Sequence, residues 1–167
     1  QQVETETKQL EEKVVKTKKE DKEIKNVLQP DWTKLKEQNA NIIGWLYVPD
    51  CEISFPVLQA KDNQYYLNHT VNGEYNPRGS IFLDANADAQ FKNDNSIVYG
   101  HSVEGGGMFT LLKNYCDEQF FKEHSVFYLL TPEANYKCNV LLLLRQLKIV
   151  CFIQLLLVGL DKKRLNR

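Results

Sequence analysis

The sequence predicts a mostly β or α+β domain in the middle of the chain. Three observations favour this class: short apolar runs, turn residues between them, and many aromatic and β-branched side chains. The 167 residues include 8 tyrosines and 8 phenylalanines. With 21 basic and 22 acidic residues the net charge is −1, so charge does not favour a nucleic-acid-binding protein.

Composition divides the chain into three regions, 1–29, 30–140 and 141–167. Lysine and glutamate dominate the first region, and its few apolar residues follow a helical spacing that breaks at Thr17 and Asp21. We expect a charged helical linker or tether there, or equally an ordinary charged helix. A coiled coil is not expected, because uninterrupted heptads are absent. The chain does not begin with methionine, so we expect native sequence upstream that can hold a signal or membrane anchor.

The middle region begins with a short helix and continues with six strands. Pro30 and Asp31 mark the start of the helix, which Asp31 can cap, and Trp32, Leu35 and Ile42 are expected on its inner side. The strands predicted from apolar runs and the turn residues between them are Gly44–Val48, Ile53–Leu58, Ser80–Leu83, Ser96–Tyr99, Val126–Leu130 and Tyr136–Val140.

Two helical insertions are expected between the strands, at Asp62–Asn68 and Met108–Tyr115. In the second, apolar residues recur at offsets of 0, 3, 4 and 7, which is the spacing of one helical face. This stripe predicts core packing.

The four cysteines do not suggest a metal site. Cys51, Cys116, Cys138 and Cys151 form no CxxC pair and have no histidine at zinc spacing. A domain of this size and apolar content does not need disulfides for stability. We therefore expect no cofactor, no metal and no disulfide framework, and we interpret Cys51, Cys116 and Cys138 as small apolar residues.

Residues 141–167 form an atypical apolar and then basic tail that lacks the turn residues of the middle region. The stretch Val140–Leu160 is long enough for a transmembrane helix, with a basic cluster at 162–164 on one end. However, polar and charged residues within 145–148 would be costly inside a bilayer. The interpretation we favour is out-of-frame sequence that replaces the native C-terminal part.

The most informative motif is the apolar run at 97–100 that ends on His101 and enters a glycine-rich loop. An imidazole at the exit of a buried strand is well placed for proton transfer. His101 is therefore the candidate catalytic residue. His69 and His124 lack this setting and are expected to be surface or half-buried residues.

Several segments, in this order and spacing, resemble the class B sortases, from about residue 32 to residue 140. These segments are NIIGWL at 41–46, YYLNH at 65–69, GSIFLD at 79–84, NSIVYGH at 95–101 and GMFTLL at 107–112. Class B sortases are cysteine transpeptidases that attach surface proteins to the cell wall of Gram-positive bacteria.

The resemblance implies a closed β-barrel with N-terminal helices and a Cys, His and Arg active site. It implies that His101 is the catalytic histidine and that Asn63 and Leu67 lie in the substrate groove. The implied partners are the sorting-motif peptide of secreted proteins and a peptidoglycan amine, with a membrane anchor upstream of this sequence. The implied location is the bacterial cell surface.

The nucleophile motif of the family is absent from this sequence. The family carries Thr-Leu-Ser-Thr-Cys well downstream of the histidine, with an arginine on the following strand, and neither occurs here. Cys151 is only a weak candidate nucleophile, and Arg164 lies in a basic tail. We therefore expect an incomplete barrel and an inactive chain. The alternatives are a non-catalytic surface module that binds sorting peptides, and a membrane protein anchored through 140–160.

Overall fold

The computed structural model describes residues 15–16, 29–103, 105–140, 152–158 and 163–165. Its strands are β1 (Val15–Lys16), β2 (Gln29–Pro30), β3 (Ile42–Val48), β4 (Ile53–Leu58), β5 (Ile81–Leu83), β6 (Asn95–His101), β7 (Val126–Leu130), β8 (Asn135–Asn139), β9 (Phe152–Val158) and β10 (Lys163–Leu165). The helices are α1 (Trp32–Gln38) and α2 (Glu118–Glu123), and three 3₁₀ segments lie at Pro49–Cys51, Tyr65–Leu67 and Thr110–Cys116.

Eight of the strands form a single sheet in the order β10-β8-β7-β3-β4-β5-β6-β9. All of its ladders are antiparallel except β4 with β5, which is parallel. Strands β10 and β9 are the two ends of the sheet, and no ladder joins them among the described strands. The sheet is thus a curled, open half-barrel, which confirms the mostly β class and the incomplete barrel.

Apolar side chains cover both faces of this sheet, because successive residues of a strand point to opposite sides. In β3, Leu46 belongs to a cluster that includes Val98 and Phe109. Its neighbour Trp45 belongs to a second cluster, with Tyr66. The second cluster is closed by α1 and by the long connection between β4 and β5.

Helix α1 forms as the sequence predicts. The Asp31 carboxylate accepts a hydrogen bond from the Lys34 backbone N–H at 3.3 Å, which caps the first turn. Leu35 is fully buried and Trp32 packs against the second cluster. Ile42 is buried as expected, but it lies on β3 and not on the helix.

The six strands predicted in the middle region are all present, with ends that differ by at most two residues. The helix predicted at Asp62–Asn68 is wrong in type, because only Tyr65–Leu67 forms a 3₁₀ turn. The reason is the Asp62 carboxylate, which accepts from the backbone N–H groups of Gln64 and Tyr65 at 2.8 and 2.9 Å. This side-chain bonding starts a tight turn in place of a helix.

The helix predicted at Met108–Tyr115 is also shifted. A 3₁₀ helix begins at Thr110, and Met108 precedes it in the left-handed region with φ of 49°. The predicted core packing is confirmed, since Met108, Leu112 and Tyr115 are all buried. Helix α2 was not predicted.

Two further expectations concern the outer regions of the chain. Val15 and Lys16 form a strand paired with β2 and not a helix, and the rest of the charged linker 1–28 lies outside the described residues. In the tail, Phe152–Val158 is a strand paired with β6, so this part of the proposed transmembrane segment is not helical. Among the described residues, no helix is both long and apolar enough to cross a membrane.

Candidate active site

The candidate site lies on one face of β6. Along this strand Ser96, Val98 and Gly100 are buried, while Tyr99 and His101 on the opposite face are half-buried. This alternation follows from the two-residue period of a strand. The side chains of Tyr99 and His101 therefore share one partly exposed face of the strand.

A backbone carbonyl holds the imidazole of His101. Its Nε2 lies 2.8 Å from the carbonyl oxygen of Leu67. A carbonyl oxygen only accepts, so Nε2 must carry the proton of this hydrogen bond. Nδ1 is then the basic nitrogen of the neutral ring, and it is the atom that can take up or release a proton.

Gly100 and Phe109 support the strand end from the buried side. A Cβ at Gly100 would lie 2.7 Å from the ring of Phe109, so only glycine fits beneath this ring. The backbone N–H of Phe109 donates to the carbonyl oxygen of His101 at 3.0 Å. The backbone of His101 is thereby fixed from below.

The glycine-rich loop after His101 is closed at its base by Thr110. The Thr110 hydroxyl accepts from the backbone N–H of Val103 at 2.9 Å and donates to the Val103 carbonyl at 3.1 Å. Gly105, Gly106 and Gly107 all have positive φ, between 89° and 97°. Three consecutive left-handed residues explain why this loop is a glycine run.

The turn that carries Leu67 is packed closely against Gly79. With φ of 58°, Gly79 brings its Cα so near that a Cβ would lie 2.3 Å from the carbonyl oxygen of Tyr66 and 2.5 Å from that of Leu67. The Ser80 backbone N–H donates to the Tyr66 carbonyl at 2.9 Å. These contacts fix the peptide groups of the turn, and with them the acceptor of His101.

Asn63 takes part in a second polar contact between the turn and β6. Its side-chain Nδ2 donates to Oδ2 of Asp84 at 2.8 Å, and its Oδ1 accepts from the Ala85 backbone N–H at 2.8 Å. The Tyr99 hydroxyl donates to the same Oδ2 of Asp84 at 3.0 Å. Asp84 thus links the segment before the turn to the strand that carries His101.

The hydrogen bonds keep Asp84 ionised. Partial burial raises its pKa, but the bonds from the Asn86 backbone, Asn63, Tyr99 and the Asn86 side chain together outweigh that effect and lower the pKa below its usual value. For Tyr99, burial and the neighbouring Asp84 charge raise the pKa. At neutral pH the pair is therefore a carboxylate and a neutral phenol.

Of the four candidate site residues, the structure brings Leu67 and His101 into contact. The Leu67 carbonyl contacts His101, while the Leu67 side chain packs against the second apolar cluster. Asn63 is engaged with Asp84 and Ala85. Cys151 lies outside the described residues, although the next residue, Phe152, pairs with His101 in the β6–β9 ladder.

The other two described histidines have structural partners. Nδ1 of His69 lies 2.8 Å from the Tyr65 carbonyl, and its ring stacks on that of Tyr65. Nδ1 of His124 lies 3.1 Å from Oδ2 of Asp50. Both are half-buried, as expected. Within the described part of the chain, no group of acidic, histidine and cysteine side chains is arranged to hold a metal ion.

Two of the cysteines are buried and poorly ionisable. Burial raises the pKa of Cys51 to about 11, with the Tyr115 hydrogen bond opposing and the Asp50 charge adding to the shift. Burial likewise raises the pKa of Cys138 to about 12. Cys116 differs from its expected role as a small apolar residue, because it is exposed. Cys51 and Cys138 are therefore unsuited to act as nucleophiles at neutral pH.

We expect iodoacetamide at pH 8 to alkylate Cys116 in the folded chain much faster than Cys51 or Cys138, as read by peptide mass spectrometry. The raised pKa of Cys51 also means that the unfolded chain loses this proton first. The protonated Cys51 thiol therefore adds to the free energy of unfolding. This contribution is complete below pH 9 and is lost as the pH rises through about 11. Urea-unfolded protein, in which all three react alike, is the control. Equal rates in the folded chain would contradict the burial.

Comparison with known proteins identifies relatives of one kind. The chain is 39% identical to sortase B of Listeria monocytogenes over 106 residues, which are 64% of this chain and 43% of that protein. It is 32% identical to sortase B of Staphylococcus aureus over 113 residues, which are 68% of this chain and 46% of that protein. No protein-family model matches the chain. The chain spans less than half the length of these curated relatives.

Solved structures agree with this relationship. A sortase B-like protein from Bacillus anthracis superposes with a TM-score of 0.68 at 35% identity, over 81% of this chain and 62% of that chain. A Staphylococcus aureus sortase B–substrate complex superposes with a TM-score of 0.69 at 28% identity, over 83% and 62% of the two chains. The resemblance to class B sortases and the sortase-type fold are thereby confirmed.

Proposed function

We propose, from this relationship to the class B sortases, that the chain carries the acid-base part of a cysteine transpeptidase site, with His101 as the proton-transfer residue. The observation that carries the proposal is the position of the ring. His101 lies at the exit of β6, half-buried, with Nε2 within hydrogen-bond distance of the Leu67 carbonyl. This arrangement suits a group that must gain and lose one proton in each turnover.

The proposed reaction takes place on a sorting-motif peptide. A cysteine thiolate attacks the scissile carbonyl, the peptide C–N bond breaks, and the imidazolium gives its proton to the departing amine. A peptidoglycan amine then attacks the thioester and gives a proton to the imidazole. An amide forms and the thiolate is released. A positively charged arginine stabilises the oxyanion in each step.

For the chain of 167 residues we propose that this reaction does not proceed, because the nucleophile motif of the family is absent from its sequence. The two buried thiols do not replace the nucleophile, since burial keeps them protonated. We expect the purified chain to leave a fluorogenic sorting peptide uncleaved, with or without a thiol blocker. Fluorescence increase over time is the measurement.

Three variants make this test specific. Cys151→Ala removes the weak candidate nucleophile, and Cys116→Ala is the matched control at an exposed thiol. Thiol-sensitive cleavage that is lost in Cys151→Ala would overturn the inactivity and assign Cys151 the nucleophilic role. Cleavage lost in His101→Ala as well would show that the histidine takes part in it.

A second function, binding of the sorting peptide without catalysis, is favoured by the face that carries Tyr99 and His101. Within the described part of the chain, its residues are held by the contacts of His101 with Leu67 and of Tyr99 with Asp84. Titration of a labelled, non-cleavable sorting peptide, read by fluorescence anisotropy, tests this function. Saturable binding that His101→Ala weakens, with no acyl-enzyme in the mass spectrum, would support it.

The proposed location is the outer cell surface, facing the cell wall, where the substrates of such an enzyme lie. A membrane anchor upstream of the sequence is part of this proposal. An anchor through residues 140–160 is the alternative, and carbonate extraction of membranes from cells that express the chain separates the two. Resistance of the chain itself to extraction would favour the alternative.

A further inference from the structure

Two polar contacts join the segment 62–68 to β6, one through Asn63 and one through Leu67. Asn63 and Leu67 are four residues apart on the segment, and Tyr99 and His101 are two residues apart on one face of the strand. Leu67 contacts His101 directly. Asn63 is linked to Tyr99 through Asp84, whose Oδ2 accepts from both side chains.

Among the described residues, Asn63, Tyr99 and Asn86 donate hydrogen bonds to the Asp84 carboxylate. Oδ2 accepts from Asn63 at 2.8 Å and from Tyr99 at 3.0 Å, while Oδ1 accepts from the Asn86 backbone N–H at 2.9 Å. The backbone of Asp84 is itself fixed, because its N–H donates to the Ile97 carbonyl of β6 at 2.9 Å. An ionised carboxylate satisfies this set of donors, and a carboxamide does not.

We infer that Asp84 is a positioning residue, which fixes the 62–68 segment on β6 and, through the Leu67 carbonyl, fixes the tautomer and orientation of the His101 ring. Any effect of Asp84 on catalysis rests on the proposed function, whereas its effect on the tautomer and orientation of the His101 ring does not. Charge-assisted hydrogen bonds are the stronger kind, so one carboxylate with two side-chain donors suffices as the anchor. The lowered pKa of Asp84 agrees with a group that is ionised while it is bound.

The test is nitrogen NMR of the histidine rings in the full chain. The three histidines give separate ring signals, and His101→Gln assigns those of His101. At a pH where imidazole rings are neutral, we expect the unsubstituted chain to give the pattern of a His101 ring with its proton on Nε2. Asp84→Asn places an amide donor against Asn63 or Tyr99, so we expect the two ring shifts of His101 to move toward each other as the tautomers mix.

Exchanging the carboxamide of residue 63 and the carboxylate of residue 84 tests whether the ring pattern of His101 can be restored. In the double variant Asn63→Asp with Asp84→Asn, the carboxamide at position 84 can donate to the new carboxylate and to the Tyr99 oxygen, while its own oxygen accepts from the Asn86 N–H. We expect the His101 pattern to return. Asn63→Asp alone sets two carboxylates together and should disturb the ring. Asp94→Asn, at an exposed carboxylate, is the matched control and should leave the ring signals unchanged.

Each outcome decides the inference. An unchanged His101 pattern in Asp84→Asn would overturn it. An equal change at His124, whose ring contacts Asp50 and not the segment, would also overturn it, because it would show a general loss of structure. Should Asp84→Asn not fold, Tyr99→Phe removes a single donor to the carboxylate, and the same change at His101 is expected in milder form. Peptide cleavage is not read in this test, so failure of the proposed function leaves its outcome unaffected.

Discussion

Replacing Gly79 by alanine is expected to lower the free energy of unfolding by about 2–5 kcal/mol, as the sum of two costs. A left-handed conformation costs an L-residue roughly 1–2 kcal/mol, and overpacking costs about 1–3 kcal/mol. Gly79 has φ of 58°, and the added Cβ would lie 2.3 Å from the carbonyl oxygen of Tyr66. The Tyr66 oxygen is a backbone atom and the backbone also fixes the position of the Cβ, so no side-chain rotation can relieve the contact. Urea unfolding followed by circular dichroism measures the loss.

The control for this variant is Gly105→Ala. Gly105 also has a positive φ, of 89°, but a Cβ there meets no atom of the described residues within 4 Å. We expect only the conformational cost, about 1–2 kcal/mol. Gly79→Ala should also disturb the ring signals of His101, since the Leu67 carbonyl must move, whereas Gly105→Ala should not. Equal losses in the two variants would show that the close approach at Gly79 is unimportant.

Removal of the Phe109 ring is the second large effect. Phe109 is fully buried in the cluster beneath β6, and Phe109→Ala is expected to lower the free energy of unfolding by about 3–5 kcal/mol. The partly exposed Phe121 packs against the same cluster, and its replacement by alanine should cost less, about 1–2 kcal/mol. Chemical denaturation of both variants gives the comparison.

The contact between Phe109 and Gly100 adds a sharper test. All three of the atoms nearest to a Cβ at Gly100 belong to the Phe109 ring, at 2.7 to 3.0 Å. Gly100→Ala should therefore destabilise the unsubstituted chain but be tolerated in the Phe109→Ala background, where the ring is absent. A double-mutant cycle measures this coupling. Additive losses would mean that the ring does not restrict position 100.

Most of the sheet could be predicted from the sequence because strand alternation and turn residues are local signals. The strand Ile53–Leu58, bounded by Asp50 and by the polar residues after Gln59, was predicted with the same ends as in the structure. The short helices were predicted less well. The Asp62 carboxylate and the left-handed Met108 determine where the 3₁₀ turns begin, and neither effect shows in a count of apolar spacing.

The sequence contains one signal for helix α2, an N-cap residue, that was not used to predict it. Asp117 is a favoured N-cap residue, and its carboxylate accepts from the backbone N–H of Phe120 at 2.8 Å. The helix is short and has no fully buried residue, so apolar periodicity could not reveal it. Its last residues lead directly to His124 and the contact with Asp50.

The candidate site was predicted in part. His101 could be found because it ends a predicted strand, precedes a glycine-rich loop and belongs to the segment NSIVYGH that resembles the class B sortases. The acceptor of its ring could not, because that acceptor is a backbone carbonyl 34 residues away, and any residue type at position 67 would supply one. Asp84 was missed for a similar reason, since its links to Asn63 and Tyr99 join residues 21 and 15 positions apart.

The parallel pairing of β4 with β5 has a consequence for how the molecule folds. Antiparallel neighbours can be joined by a tight hairpin, but parallel strands need a long crossover, and here that crossover is residues 59–80. It contains the turn that ends at Leu67. The entropic cost of closing this loop must be overcome before such distant contacts can form. We therefore expect this pairing to be a slow step of folding. The imidazole of His101 should then acquire its hydrogen-bond acceptor in that late step, and ring signals followed during refolding would report when it occurs.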